Sequence, residues 1–172
     1  MNRLVCYWVC AVLSGFGLSA LAKSEPGKIR IGLVFDLTGK RIPALKVVNG
    51  IEYGLKHATV HGKAIELIRY DSKSDAVGTR TAMEELLKNP PDIIIAEIDS
   101  SKAFVAAEMA EKARRVMITP YATAPEITKD KRYVFRTCFS DEEQGRQLAK
   151  FARDDLHANS SVIFYDGTQL YP

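Results

Sequence analysis

The first long strand signal in the sequence is Ile29-Arg30-Ile31-Gly32-Leu33-Val34-Phe35, an almost continuous run of apolar and branched residues. A strand with one solvated face would alternate apolar and polar residues, so this run predicts a strand that is covered on both faces. After a break at Thr38-Gly39, the stretch Ala44 to Thr59 repeats apolar residues at steps of three and four. That spacing predicts a helix with one apolar face, and the pair predicts an α/β unit.

The same alternation of strand and helix repeats along the chain. Further strands are predicted at 65–70, 93–96 and 116–119. Asp75 is a predicted helix cap, and another helix is predicted from Ser100 or Ser101 to Arg114 or Arg115. Strands joined by helical crossovers predict a mostly parallel, doubly wound sheet with helices on both faces.

Beyond Pro125 the repeat loosens. A short extended piece is predicted at 133–136, followed by a capping box in which Ser140 and Glu143 bond reciprocally. A final strand is predicted at 161–165, with no sequence after it for a following helix. The last predicted helix carries an apolar stripe that we expect to be buried, formed by Gly145, Leu148, Ala152 and Leu156.

The amino terminus has the pattern of an export signal. No charged residue occurs from Leu4 to Ala22, and Ala20-Leu21-Ala22 ends the run with small residues at the positions that a signal peptidase reads. The sequence therefore predicts a cleaved signal at 1–22 and a periplasmic or otherwise exported protein. The alternative is a retained membrane anchor, since the run is close to the ~20 apolar residues that span a bilayer. The aromatic residues before Cys10 disfavour lipidation there.

Composition excludes several classes of protein. The 172 residues carry a net charge of +3 that is mixed along the chain, which disfavours nucleic acid as a partner. No glycine-rich dinucleotide fingerprint follows the first strand and no Walker loop occurs, so no cofactor is expected. His57 and His61 have a zinc-compatible spacing but lack a third ligand, so no metal site is predicted. Cys138 is interpreted as a small hydrophobic residue packed beneath Phe135 and Phe139 rather than as a nucleophile.

Acidic side chains at strand ends offer one further alternative. Asp71, Asp75 and Asp99 could hold a cation or a phosphoryl group, as in receiver domains. A helix cap is the simpler interpretation of Asp75.

Two loops at the expected carboxyl edge of the sheet predict a ligand site. Asp99-Ser100-Ser101 opens a helix, where backbone amides and hydroxyls favour a carboxylate. The loop from Thr119 to Pro125 adds the hydroxyl of Thr123 and the aromatic ring of Tyr121. Ligands of such sheets bind outside the carboxyl ends of the strands. In the alternative interpretation Ser100 is only a cap and Thr123 only a turn residue.

The loop Ile118-Thr119-Pro120-Tyr121-Ala122-Thr123-Ala124-Pro125-Glu126-Ile127-Thr128 resembles the motif after the fourth strand of the leucine/isoleucine/valine-binding proteins. These are the extracytoplasmic receptors of ABC amino-acid importers. The resemblance covers nearly all of the chain after residue 22 and implies the doubly wound parallel sheet of a type I periplasmic-binding-protein lobe. Other matching segments are Lys28–Leu33, Thr38-Gly39, Asn49-Gly50, Tyr70-Asp71, Asp99-Ser100-Ser101, Phe135-Arg136-Thr137, Ser140–Gly145 and Val162–Asp166.

The resemblance also implies a function. In that family two lobes close around an amino acid, and the first lobe binds its carboxylate and ammonium. A small ligand such as an amino acid or an amide-like compound, a membrane ABC permease as partner and no catalysis are implied. The charge of Asp99 and the bulk of Tyr121 depart from the family pattern. The ligand-binding residues implied by position are Ile98, Asp99, Ser100, Tyr121, Ala122 and Thr123.

Family members are roughly twice as long as this chain, so the resemblance implies a truncated form. Residues 23–135 would form an incomplete first lobe, and 136–172 would begin a second lobe with one helix and one strand, carrying an aromatic contact at Tyr171. We expect weak or no autonomous binding, and self-association through an exposed sheet edge. The alternative function is a sensory or protein-interaction module that uses the same lobe with a partner chain. A more distant alternative is an exported hydrolase that uses Cys138 or the histidines.

Overall fold

A computed structural model describes residues 27–39 and 42–164 of the chain. The elements are strands β1 (Lys28–Phe35), β2 (Thr59–Val60), β3 (Lys63–Asp71), β4 (Ile93–Ala96), β5 (Val116–Thr119) and β6 (Val134–Arg136), and helices α1 (Ile42–Leu55), α2 (Ala76–Lys88), α3 (Ser100–Lys112) and α4 (Asp141–Asp154). A short 3₁₀ turn spans Pro125–Ile127, where the sequence pattern indicates no regular element.

The strands form one sheet in the order β2-β3-β1-β4-β5-β6. Every neighbouring pair is parallel except β2 and β3, which form a hairpin. Strand β1 lies inside the sheet, and its residues 31–35 are all buried, as its continuous apolar run predicts. The predicted fold class, the doubly wound α/β sheet of a type I periplasmic-binding-protein lobe, is confirmed.

Apolar side chains pack on both faces of the sheet. On one face Leu33 and Phe35 pack in the cluster that contains Ala44 and Val48 of α1. On the other face Val34, Ile94 and Met117 pack in the cluster that includes the buried faces of α2 and α3. Alternate residues of β1 point to opposite faces, so this strand contributes to both clusters and must be apolar at successive positions.

Two predicted helix caps are present. Asp75 accepts a hydrogen bond of 2.6 Å from the amide of Gly78, and Ser140 Oγ accepts one of 3.2 Å from the amide of Glu143. Gly78 allows the chain to pass close to the carbonyl of Ser72, with which a Cβ would collide. The predicted return bond of the capping box is wrong, because the Glu143 carboxylate accepts from Gln147 and Arg146 instead.

The first helix ends earlier than the predicted limit at Thr59. Helix α1 ends at Leu55, and Thr59 begins β2. His61 and Gly62 have φ values of 50° and 77°, which suit the tight turn that joins β2 to β3. Apolar periodicity alone extends the predicted helix to Thr59, but this residue belongs to the hairpin. His57 and His61 therefore both lie beyond the end of the helix.

The carboxyl-terminal part of the described chain differs most from prediction. The predicted buried stripe on α4 is wrong, since no residue of this helix is buried and Leu148 is 61% exposed. Residues 161–164 belong to no strand, because no strand in the described part of the chain lies beside them. Tyr165, Tyr171 and the predicted signal at 1–22 lie outside the described residues. Within 27–39 and 42–164, no helix has the length and apolarity that crossing a bilayer requires.

Candidate functional site

The loops after β4 and β5 lie at the carboxyl edge of the sheet, where the topology predicts a site. The β4–α3 turn is anchored to β1, because the amide of Glu97 donates to the carbonyl of Val34 at 3.0 Å. Glu97 takes a left-handed conformation with φ of 54°, which turns the chain sharply at the end of the strand. Helix α3 then begins at Ser100, with its amino terminus at this edge.

A cavity of about 390 Å³ lies between these loops and helix α1. It brings together five of the six predicted site residues. Ala122 does not line it and is instead buried beneath the loop. The lining residues are Pro43, Lys46, Val47, Ile98, Asp99, Ser100, Tyr121 and Thr123.

Asp99 caps helix α3. Its Oδ1 accepts hydrogen bonds from the amide of Ser101 at 3.2 Å and from the hydroxyl of Ser101 at 2.7 Å. A carboxylate at this position stabilises the helix by complementing the positive end of its dipole. Because the cap is satisfied by Asp99, Ser100 does not serve as the cap of this helix.

Ser100 connects the two loops. Its side chain is almost fully buried, and Oγ accepts a hydrogen bond of 3.3 Å from the amide of Ala124 in the β5 loop. A hydroxyl that accepts one bond keeps its own proton for donation. Ser100 can therefore hold the loops together and donate to an oxygen in the cavity.

The start of the β5 loop is held in place by the side chain of Thr119. Thr119 Oγ1 donates to the carbonyl of Glu97 at 2.8 Å and accepts from the amide of Ala122 at 3.4 Å. Tyr121 lies between these two anchored positions. It is 68% exposed and lines the cavity. The fixed backbone gives the aromatic wall a defined position.

The far end of the same loop is held by Arg136 of β6. Its guanidinium donates to the carbonyls of Thr123 and Ala124 at 2.7 and 3.0 Å. The carbonyl of Thr123 also accepts from the amide of Asp141, at the start of α4. The Thr123 hydroxyl forms no hydrogen bond in the described part of the chain, so it is available to a ligand in the cavity that it lines.

Sequence reasoning missed the wall contributed by α1. Pro43, Lys46 and Val47 line the cavity, yet the periodicity of α1 showed only which of its faces is apolar. Which edge of a helix meets a neighbouring loop depends on its packing angle. No local signal in the sequence identifies these three residues.

A buried ion pair beneath the site was also missed. Glu97 Oε2 lies 3.6 Å from Lys102 Nζ, and both side chains are at most 5% exposed. Glu97 Oε1 lies 2.9 Å from the Thr79 hydroxyl of α2. Burial raises the pKa of the Glu97 carboxyl, while the Lys102 ammonium and the Thr79 hydroxyl oppose that rise. Glu97 therefore links Thr79 of α2 with Lys102 of α3 at the β4–α3 turn.

The other acidic residues at strand ends, Asp71 and Asp75, already accept hydrogen bonds from neighbouring loops and helix starts. Asp71 accepts from the amides of Leu37 and Lys73 at 2.9 and 3.0 Å, and also from the Thr38 hydroxyl. Burial acts to raise the pKa of Asp71, but these hydrogen bonds outweigh it and hold the pKa below 3.8. Asp75 caps α2. Across the described ranges, no three His, Cys, Asp or Glu side chains gather in a metal-binding group.

Cys138 is only half-buried, whereas the sequence predicts a small hydrophobic residue packed beneath Phe135 and Phe139. Both of these phenylalanines are exposed. Its Sγ lies 3.6 Å from the carbonyl oxygen of Ala122. The thiol therefore packs against the β5 loop.

Comparison with known proteins places this architecture in a family. The sequence model described as "Periplasmic binding protein" matches residues 28–170. The chain is 26% identical over 177 aligned positions to the leucine-, isoleucine-, valine-, threonine- and alanine-binding protein of Pseudomonas aeruginosa, covering 98% of this chain and 46% of that protein.

Solved structures agree. A leucine-binding protein from Thermotoga maritima superposes with a TM-score of 0.72 at 31% identity, covering 83% of this chain and 42% of that one. A branched-chain amino acid transporter substrate-binding protein from Streptococcus pneumoniae, solved with isoleucine, has a TM-score of 0.59 at 25% identity, covering 76% of this chain and 39% of that one. The chain thus spans less than half the length of these relatives. The match over residues 28–170 shows that the chain belongs to the periplasmic binding protein family, among the leucine/isoleucine/valine-binding proteins.

Proposed function

We propose that this chain is an exported solute-binding protein of an ABC importer, that it catalyses no reaction, and that its first lobe binds an amino acid or similar small zwitterion. Residues 1–22 would direct export, 23–135 would form the first lobe and 136–172 would begin the second. One observation carries the proposal: Ile98, Asp99, Ser100, Tyr121 and Thr123 line a single cavity at the carboxyl edge of the sheet. The names of the relatives, which are binding proteins, support it.

The chemistry of the cavity suits a zwitterion. The carboxylate of the ligand would face the amino terminus of α3 and accept from the hydroxyls of Ser100 and Thr123. The ammonium would face Asp99 and the carbonyls of the β5 loop. The ring of Tyr121 would cover the side chain of the ligand.

The cavity has walls from one lobe only, which limits affinity. Two or three charge-assisted hydrogen bonds of ~1.5 to 3 kcal/mol each, less the cost of association, fall short of the ~8 kcal/mol of a micromolar site. We therefore expect millimolar binding by this chain, and tighter binding after fusion to a complete second lobe from a relative. Delivery to a membrane permease would need the closed, two-lobed form.

Changing Thr123 to valine tests the site directly. Because the Thr123 hydroxyl forms no hydrogen bond with the residues that the structure describes, we expect this change to weaken amino-acid binding about tenfold without loss of stability. The measurement is an NMR titration of the exported chain with an amino-acid panel, followed at the amides of the cavity loops. Ser100→Ala should weaken binding as well, and it also removes the acceptor of the hydrogen bond from the amide of Ala124.

Thr81→Val is the matched control. Thr81 is exposed on α2, and among the described residues its hydroxyl donates only to the carbonyl of Val77. This variant should bind like the unmodified chain. Equal affinities for the Thr123 and Thr81 variants would count against the site.

A second candidate function is a sensory or protein-interaction module that uses the same lobe with a partner chain. It is favoured by the apolar surface of α4, where Leu148 and Phe151 are both more than half exposed, and by the exposed apolar residues 162–164. The three-residue strand β6 is an edge of the sheet at which self-association could occur. Gel filtration combined with the amino-acid titration separates the alternatives: a stable complex that binds no amino acid favours the module, whereas a chain that binds amino acids favours the solute-binding protein.

A further inference from the structure

Helix α1 contributes a lysine to a cavity wall that is otherwise apolar. Pro43 and Val47 line the cavity on either side of Lys46, and Ile98 continues the apolar surface across the β4–α3 turn. Lys46 is the one basic residue in the described lining, and its side chain is exposed. Its ammonium forms no hydrogen bond or ion pair in the described part of the chain.

Among the described lining residues, charge comes from Asp99, from the amino terminus of α3 and from Lys46. Asp99 caps α3 by accepting from the amide of Ser101, and the first turn of α3, with its remaining backbone amides, begins at the cavity that Asp99 and Ser100 line. On the proposed function, those amides and the Ser100 hydroxyl take the carboxylate of the zwitterion. Lys46 belongs to neither group, because helix α1 contributes it to the lining of the cavity.

We propose that Lys46 is a specificity-determining residue that selects ligands with a second carboxylate, such as an acidic amino acid, over branched-chain ones. This inference rests on the proposed function. The methylene groups of such a ligand would lie against Pro43 and Val47, and its distal carboxylate would accept from Lys46. A branched aliphatic side chain would satisfy the apolar wall but leave the ammonium with no partner from the ligand.

The test compares L-glutamate with its neutral isostere L-glutamine and with L-leucine, by NMR titration of the exported chain. We expect glutamate to bind about tenfold more tightly than glutamine or leucine, because a charge-assisted bond replaces a neutral one. Lys46→Met should remove this preference, while Lys46→Arg should retain it. Raising the salt concentration should reduce the preference, because Lys46 is exposed to solvent.

Lys56→Met is the matched control. Lys56 follows α1, is exposed and does not line the cavity, so the same change of charge there should leave the glutamate preference intact. Equal binding of glutamate and leucine, or a preference that survives Lys46→Met, overturns the inference while the proposed function stands. If none of the three ligands shifts the amides of the cavity loops, both the proposed function and this inference fail.

Discussion

Replacing Lys102 by methionine is expected to destabilise the chain by about 3 to 5 kcal/mol, because it leaves the buried Glu97 carboxylate without its ion-pair partner. The two side chains are 5% and 1% exposed, so water cannot replace the lost ammonium. The measurement is urea unfolding followed by circular dichroism. The double variant Glu97→Gln/Lys102→Met should recover most of the loss, because it removes both charges and keeps a polar group beside Thr79.

Two comparisons separate this effect from a general loss of packing. Lys88→Met makes the same change in an exposed pair with Glu85 on α2, and it should leave the unfolding midpoint unchanged. A double variant as unstable as Lys102→Met would show that the loss of stability does not come from the uncompensated charge of Glu97.

The pH dependence of the Lys102 variant has a definite sign. Burial raises the pKa of the Glu97 carboxyl above 4.5, and loss of the ammonium raises it further. Well below pH 4.5 the carboxyl is protonated in both the folded and the unfolded chain, so the penalty is small. As the pH rises from 4.5 through the raised folded-state pKa, the unfolded chain releases the proton more readily than the folded chain, so stability is lost over this interval. The difference between the variant and the unmodified chain should therefore grow with pH.

Most of the strands, and the loops that form the candidate site, could be predicted because their signals are local. Continuous apolar runs mark β1, β4 and β5, and the predicted bounds of β4 and β5 agree with those observed. Parallel topology then places the loops that carry Ser100 and Thr123 at one edge of the sheet. These loops line one cavity, although whether they bind a ligand stays a prediction.

What could not be predicted depends on contacts between distant elements. The apolar face of α4 indicates which side of the helix could be buried, but not whether anything covers it. The cavity wall formed by Lys46 depends on how α1 packs across β1, and the Glu97–Lys102 pair depends on the approach of α3 to the end of β4. Each of these is set by packing geometry, which no single stretch of sequence records.

Replacing Arg136 by methionine is expected to disorganise the β5 loop, destabilise the chain by about 3 kcal/mol and abolish amino-acid binding. The guanidinium donates to the carbonyls of Thr123, Ala124 and Pro125 and, at 2.6 Å, to the hydroxyl of Thr128. No other side chain is recorded as donating to these three carbonyls in the described part of the chain. Urea unfolding and the NMR signals of the loop amides measure the two effects.

Arg136→Lys distinguishes charge from geometry. An ammonium keeps the positive charge but cannot reach four acceptors with the planar fork of a guanidinium, so this variant should be intermediate in stability and still bind weakly. Arg132→Met removes the same type of side chain from an exposed position nearby and should change neither property.

Because the carbonyl of Thr123 also accepts from the amide of Asp141, Arg136→Met should release the start of α4 together with the loop. Binding that survives Arg136→Met with a disordered loop would show that the β5 loop does not form the site, and that α3 alone holds the ligand.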